Sequence, residues 1–227
     1  MRVVWKYGKI YSMKLRNDLY TLCQLLREPK LLVYDIARKD GNWSKHCLEG
    51  VKPLLRVYIG RVVNKLMEKK VDVLFLQDVI DDFENFQWIR PYSFFEHPDW
   101  DGTKYDYRHH PLFLGGQLVQ SAPDEDDMGP NATVLNHNLK LPKDRKIIET
   151  TEMTNMWGAD DLQDRLIRYF DAGINRDDLK FFCFPGLWDD IEKLRPLTRR
   201  VPSNPGWGLP GVNGETDFST HTQSFYS

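Results

Sequence analysis

The stretch Tyr11-Ser12-Met13-Lys14-Leu15-Arg16-Asn17-Asp18-Leu19-Tyr20-Thr21-Leu22-Cys23-Gln24-Leu25-Leu26, continued by Arg27-Glu28-Pro29-Lys30-Leu31-Leu32-Val33-Tyr34-Asp35-Ile36, decides the fold. Tyr11, Met13 and Leu15 alternate with Ser12, Lys14 and Arg16, the two-residue period of a strand with one buried face. Asn17-Asp18 interrupts the run, and both residue types tolerate the positive φ of a tight hairpin turn. A Leu-rich second strand is predicted over 19–26. Pro29 fixes φ and offers no N–H to a ladder, so Glu28-Pro29-Lys30 breaks the chain before a third strand over 31–36. Three consecutive antiparallel strands make a meander.

Working outward, 54–59 (LLRVYI) reads as a fourth strand. Residues 61–70 follow with helical spacing of Val62, Val63, Leu66 and Met67, and Lys65, Lys69 and Lys70 facing water. A strand is predicted over 71–77 and a short amphipathic helix or loop over 78–86. Another strand is predicted over 104–114, broken by Pro111, then a loop over 115–130 and a strand pair within 133–148. The clearest helix is 160–172: Leu162, Leu166, Ile167, Tyr169 and Phe170 make one stripe, with Asp160 and Asp161 at the positive end and Gly173 as the stop. Asp161 with Arg165, and Asp164 with Arg168, are spaced as i,i+4 pairs. A shorter helix is predicted over 187–194, ended by Pro196. From Val201 onward periodicity is lost, with Trp207 and Phe218 as candidate anchors. The order predicts an α+β fold, a β-rich N-terminal antiparallel meander or partial barrel with C-terminal helices packed on it.

With 227 residues the chain is long enough for a sizeable core. Cys23, Cys47 and Cys183 lack C-x-x-C spacing and, being three, cannot all pair. They are expected as reduced thiols in a cytoplasmic protein. No apolar run approaches the ~18 residues of a membrane span, and the start shows no secretory h-region. The net charge of -2 argues against a nucleic-acid binder, but its distribution is uneven. Residues 71–128 hold 13 acidic residues against three basic ones (Arg90, Lys104, Arg108), or -10, leaving +8 elsewhere. Such a segment attracts a basic partner if its charges share a face, and otherwise only solvates loops.

Catalytic motifs are scarce. There is no glycine-rich phosphate loop, nucleophile elbow, H-E-x-x-H or zinc-type cysteine pairing. Glu96, His97, Asp99, Asp101, His109 and His110 are the best candidates for a metal or an acid–base pair. Against them, adjacent strand residues such as His109 and His110 point to opposite faces. Cys47 beside His46 is weaker as a nucleophile pair, since sequence neighbours rarely face one another. The lysines at 65, 69 and 70 and the arginines at 195, 199 and 200 read as solvated faces, without stacking aromatics between them. Asp35 falls in an apolar strand pattern, as a hydrogen-bonded structural carboxylate would.

Four blocks resemble a known family. Gly8-Lys9-Ile10-Tyr11-Ser12-Met13, Leu32-Val33-Tyr34-Asp35-Ile36 and Leu55-Arg56-Val57-Tyr58-Ile59 are similar to strands of bacterial polymorphic-toxin immunity proteins of type 26, found in contact-dependent growth inhibition systems. Trp157, then Leu162-Gln163-Asp164-Arg165-Leu166 and Tyr169-Phe170, resembles their C-terminal helix. The chain departs from that pattern in lacking second-strand glycines, where Thr21-Leu22-Cys23-Gln24 stands. The resemblance implies a single immunity-like domain over 1–227, with its core at 3–114 and 152–173, an insertion at 115–151 and an extension at 174–227. It implies a cytoplasmic protein with no catalytic residues, cofactor or metal, and no nucleic-acid or membrane partner. Its partner would be the C-terminal domain of a cognate toxin, bound 1:1, often a nuclease, with endoribonuclease-U-like RNases among the partners the resemblance implies. Because an RNase must hold phosphates, charge pattern places the toxin contact on Asp78, Asp81, Asp82, Glu84, Asp124, Glu125, Asp126 and Asp127, with Trp88 and Trp100 as anchors. The alternative is a metal-assisted hydrolase using Glu96, His97, Asp99 and His109.

Overall fold

The structure, a computed structural model, describes residues 3–43, 50–71, 86–92, 115–120 and 132–188. In chain order these form β1 (Ile10–Arg16), β2 (Leu19–Leu25), β3 (Lys30–Arg38), β4 (Pro53–Ile59), a 3-10 turn (Arg61–Leu66), β5 (Met67–Lys70), β6 (Gln87–Pro91), β7 (Gly116–Gln120) and β8 (Thr133–Asn136). Then come α1 (Arg145–Thr150), β9 (Met156–Trp157), α2 (Ala159–Ala172) and α3 (Leu179–Cys183). The predictions for 72–77, 78–85, 104–114 and 189–194, and the anchors Trp207 and Phe218, lie outside the described residues. Of those that remain, residues 3–43, 50–71 and Met156–Asn175 form one compact unit, and 86–92, 115–120, 132–155 and 176–188 belong to a second. The α+β architecture expected from the sequence is the one observed.

In the first unit β1 to β3 are the predicted meander and β4 the predicted fourth strand, extended into a curled six-stranded sheet of order β5-β1-β2-β3-β4-β9. All pairings are antiparallel except β4 with β9, where Tyr58 pairs with Met156 and Ile59 with Trp157. The β1–β2 hairpin turns at Asn17-Asp18 as predicted, but no described non-glycine residue has positive φ. A register shift between Lys14 and Arg16 instead supplies the twist that a two-residue turn otherwise takes from its dihedrals.

A larger shift marks β3. Cys23 pairs with Val33 but Thr21 with Ala37, so one residue of β2, Leu22, opposes three of β3, Tyr34 to Ile36. The Thr21 hydroxyl donates to the carbonyls of Tyr34 (3.2 Å) and Ile36 (2.8 Å) within that bulge. The bulge turns Asp35 out to solvent, where its carboxylate accepts a hydrogen bond from Tyr169 at 2.9 Å. Asp35 is thus hydrogen-bonded but not buried, because the strand's alternation breaks just before it.

Met13, Leu15, Cys23, Leu25, Val33, Leu55 and Val57 line one face of the sheet, and Leu162 and Leu166 of α2 pack on it. Fully burying each such Leu contributes about 1.5–3 kcal/mol. The helix predicted over 61–70 is corrected: only Arg61–Leu66 is helical, and as 3-10, while Met67–Lys70 is a strand. Met67, Lys69 and Lys70 pair with Met13, Ser12 and Tyr11, covering the edge of β1 that would otherwise expose unpaired N–H and C=O groups. Tertiary pairing outweighs local propensity here, and the β-branched Val62-Val63 pair is already a weak helix former.

The second unit contains the antiparallel sheet β6-β7-β8 and the two short helices. Residues 116–120, predicted as loop, are a strand. Gly116 is what permits this, since a Cβ there would lie 2.9 Å from the Arg90 carbonyl oxygen of β6. The strand pair predicted within 133–148 is β8 followed by α1, whose Arg145 and Glu149 make an i,i+4 pair at 3.2 Å. Arg145 also donates to the carbonyls of Leu187 (2.5 Å) and Gly186 (3.2 Å), and buried Lys180 of α3 donates to that of Glu149 (2.9 Å). These bonds tie α1 to the α3 segment through backbone acceptors. Residues 187 and 188 are not helical, although Leu187 is buried.

Candidate functional site

Most of the residues singled out for toxin contact fall outside the described residues: Asp78, Asp81, Asp82, Glu84, Trp100, Asp124, Glu125, Asp126 and Asp127. So do the alternative's Glu96, His97, Asp99 and His109, together with Asp101, His110, His46 and Cys47. Trp88 is described, and it is core rather than surface. It sits on β6 opposite Val119, only 3% exposed, with its ring 4.8 Å from that of Phe86. An indole with so little exposed surface offers a partner almost nothing to hold.

The four blocks that carry the family resemblance all lie in the first unit, where they touch one another. Ile59 and Trp157, from the third and fourth blocks, are paired strand residues. The Arg165 guanidinium lies 5.0 Å over the Trp157 ring and its Nε donates to Asn175 at 2.8 Å, so this buried cation is held by a π-face and an amide. Tyr169 of the fourth block donates to Asp35 of the second. Burial and this hydrogen bond to a carboxylate together push the Tyr169 phenol upward.

A polar network runs inside the same unit. The Tyr34 hydroxyl donates to Gln24 Oε1 at 2.7 Å, and Gln24 Nε2 donates to the Gly8 carbonyl at 3.3 Å. Burial pushes Tyr34 up to about 12, so the phenol stays a donor at neutral pH. Cys23 is likewise pushed up to about 12 by burial, which leaves it an inert thiol. Cys23 and Cys183 are both buried. Trp43 Nε1 donates to Ser12 Oγ at 2.9 Å, pinning the chain after β3 against β1.

An exposed ionic constellation gathers at the C-terminal end of α2. Arg16 of β1 makes a two-pronged ion pair with Asp171, one arm at 2.9 Å, and its Nε reaches Asp18 in the turn at 2.7 Å. Both carboxyls are held below the ordinary range by this guanidinium. Asp171 lies in the last turn of α2, which contains no basic residue, and Gly173 (φ 70°) then ends the helix. At the other end of α2, Asp160 meets Lys65 at 2.6 Å. The sequence reading passed over this constellation, since Arg16 and Asp171 are 155 positions apart and no motif joins them.

Among the described residues no group of three or more His, Cys, Asp or Glu side chains is placed to hold a metal. No described helix is long and apolar enough to cross a membrane.

Residues 1–189 match the family described as a domain of unknown function, DUF8309. The chain belongs to that family. The match takes in every described residue, so both units lie within it, and it stops short of 190–227. No curated protein and no solved structure matches the chain.

Proposed function

We propose that this protein is an immunity protein, which binds the C-terminal domain of a cognate bacterial toxin 1:1 and occludes its active or substrate-binding surface. One observation carries the reading. The blocks that resemble type 26 immunity proteins, widely separated in sequence, all contribute to one hydrophobic core, with Tyr11 and Met13, Val33, Leu55 and Val57, and Trp157, Leu162 and Leu166, and are further joined by the Ile59–Trp157 strand pair and the Tyr169–Asp35 hydrogen bond. The charge of -10 over 71–128 supports a basic partner, as the phosphate-holding surface of a nuclease would be. Steering by such charge speeds encounter, and burial over at least ~800 Å² per partner supplies the tight binding that protection requires.

The test is co-expression with the C-terminal ~100–200 residues, about one domain's worth, of a large secreted protein encoded beside this chain. Cell survival together with a stable 1:1 complex on a sizing column is the expected result. Cell death despite abundant folded protein, with no complex formed, would reject the reading for that pair.

A further inference from the structure

We infer that the end of the first unit's sheet where β1 begins binds the phosphate backbone of a single-stranded nucleic acid, through Lys6, Lys9, Arg27, Arg61 and Lys69, with Tyr7 as a platform for a base. This goes beyond the immunity reading and does not depend on it. It departs from the resemblance, which implies no nucleic-acid partner.

The topology gathers these residues. At this one end of the sheet β5 ends, β1 begins, β2 turns into β3 and β4 ends. Lys69 pairs with Ser12, and the Val71 N–H donates to the Ile10 carbonyl at 3.0 Å. The Lys9 carbonyl accepts from the Leu25 N–H at 2.8 Å, and a turn closed by the Lys9 N–H on the Lys6 carbonyl (3.2 Å) keeps Lys6 and Tyr7 close by. Arg27 stands in the β2–β3 turn, whose Lys30 N–H donates to the Arg27 carbonyl at 2.8 Å. Arg61 follows β4 after Gly60, and Ile59 at the end of that strand donates to the Pro29 carbonyl at 2.9 Å.

The cations here are uncommitted. Lys6, Lys9, Arg27, Arg61 and Lys69 make no ion pair or side-chain hydrogen bond among the described residues. Elsewhere in the unit Lys14 is taken up by Glu68, Arg16 by Asp18 and Asp171, Lys65 by Asp160 and Arg168 by Asp164. Lys70, beside Lys69, adds a sixth positive charge. The described acids at this end are Glu28, the Asp160 that Lys65 holds, and buried Asp161. Over the whole first unit the described residues hold 16 basic and nine acidic side chains, or +7, which the chain's net charge of -2 conceals.

Composition and span favour a nucleic acid over an acidic protein. Protein interfaces are depleted of Lys, whereas four of these six cations are Lys, and phosphates are held by Lys and Arg alike. At a strand spacing of ~4.8 Å the distance from β5 to β4 is about 19 Å. Along it a nucleic-acid strand, with one phosphate per ~3.4 Å, carries about five or six charges. Tyr7, 42% exposed among the cations, offers a ring on which a base of any sequence stacks. The lysines at 65, 69 and 70 have no aromatic interleaved in sequence; the fold brings them one from the N-terminal segment.

The experiment titrates the full chain into a fluorescein-labelled oligouridylate of about 12 nucleotides, within the size of single-strand sites, and follows anisotropy across a salt series. Wild type is expected to bind at low salt, with affinity falling steeply as salt rises. Arg27→Gln with Lys69→Gln, both exposed, should weaken binding about tenfold. It should also flatten the slope of log affinity against log salt by about 1.4, two contacts at ~0.7 each. Tyr7→Ala should weaken binding about fivefold or more and leave the slope unchanged. Lys39→Gln with Lys52→Gln is the control, since it removes the same charge at the opposite end, where β3 ends and β4 begins. It should bind as wild type does, and polyglutamate at equal charge concentration should not displace the RNA. Circular dichroism and melting identify any variant that has lost its fold, and the exposed Arg27 and Lys69 pair remains decisive if Tyr7→Ala unfolds. No binding by folded wild type at low salt overturns the inference, as does an equal loss in the two double variants. Displacement by polyglutamate overturns it too, and assigns the surface to an acidic protein. No toxin enters the measurement, so each of these failures leaves the immunity reading intact.

Discussion

Replacing Tyr34 by Phe removes one oxygen and nothing else, and the structure allows its cost to be worked out. The hydroxyl is buried and donates at 2.7 Å to Gln24 Oε1, in a side chain with no exposed surface. Loss of the bond itself costs about 0.5–1.5 kcal/mol, and a buried carbonyl left without its donor adds about 1–3 kcal/mol. We expect roughly 2 kcal/mol in total. Gln24→Met should cost a similar amount, because it strands the Tyr34 hydroxyl and withdraws the 3.3 Å donor from the Gly8 carbonyl. The double variant puts apolar groups on both sides of the former bond, and such paired replacements approach neutrality. The double-mutant cycle should therefore show a coupling of at least about 1 kcal/mol. Urea unfolding followed by circular dichroism, and checked for a single transition, is the assay. With m near ~2 kcal/mol/M, each single variant shifts the midpoint by about 1 M. If the two single effects add to within about 0.4 kcal/mol, Tyr34 and Gln24 do not act as a pair and the network described here is wrong.

The glycines and the exposed ion pairs give two further tests. Gly41→Ala should destabilise by more than Gly173→Ala: both have positive φ, costing an L-residue about 1–2 kcal/mol, but only at Gly41 does the new Cβ meet a ring, 2.8 Å from Tyr20 Cδ1. Equal melting temperatures for the two variants would remove the packing argument. Asp18 and Asp171 have lowered folded-state pKa values because of Arg16, so their stabilisation is fully present above the unfolded value near 3.8 and is lost as pH falls through the folded values. Arg16→Gln should therefore flatten the decline in stability below about pH 4, and an unchanged acid limb would show that these exposed pairs do not contribute.

The meander and α2 were legible because each is governed by its own neighbours in sequence. Tyr11, Met13 and Leu15 alternate, and Leu162 and Leu166 stack along one stripe, and these patterns became the two sides of one core. What escaped was set by distant residues. Met67–Lys70 is a strand only because β1 needs an edge partner, and Gly116 belongs to a strand because a backbone from β6 passes close to it. Asp35 fits an apolar pattern until the bulge in β3 turns it outward, a shift held by Thr21 from the neighbouring strand. The ion pairs around Arg16 depend on the same kind of long-range meeting. Trp88 illustrates the converse: aromatic residues among acidic ones read as a contact surface, yet this one is buried beside Phe86.

The parallel pairing of β4 with β9 also has a consequence for how the chain comes to be folded. Ile59 and Trp157 are sheet neighbours separated by 98 positions. At ribosomal rates of ~5–20 residues per second, β9 follows β4 by roughly 5–20 s, and α2 later still. Throughout that interval the nascent sheet has no helix to cover Met13, Leu25, Val33 and Val57, and the whole second unit up to Asn155 is synthesised before the first can close. Chains cut short before Met156 would carry an open apolar sheet face rather than a smaller finished domain, which makes Met156–Asn175 the part on which early solubility depends.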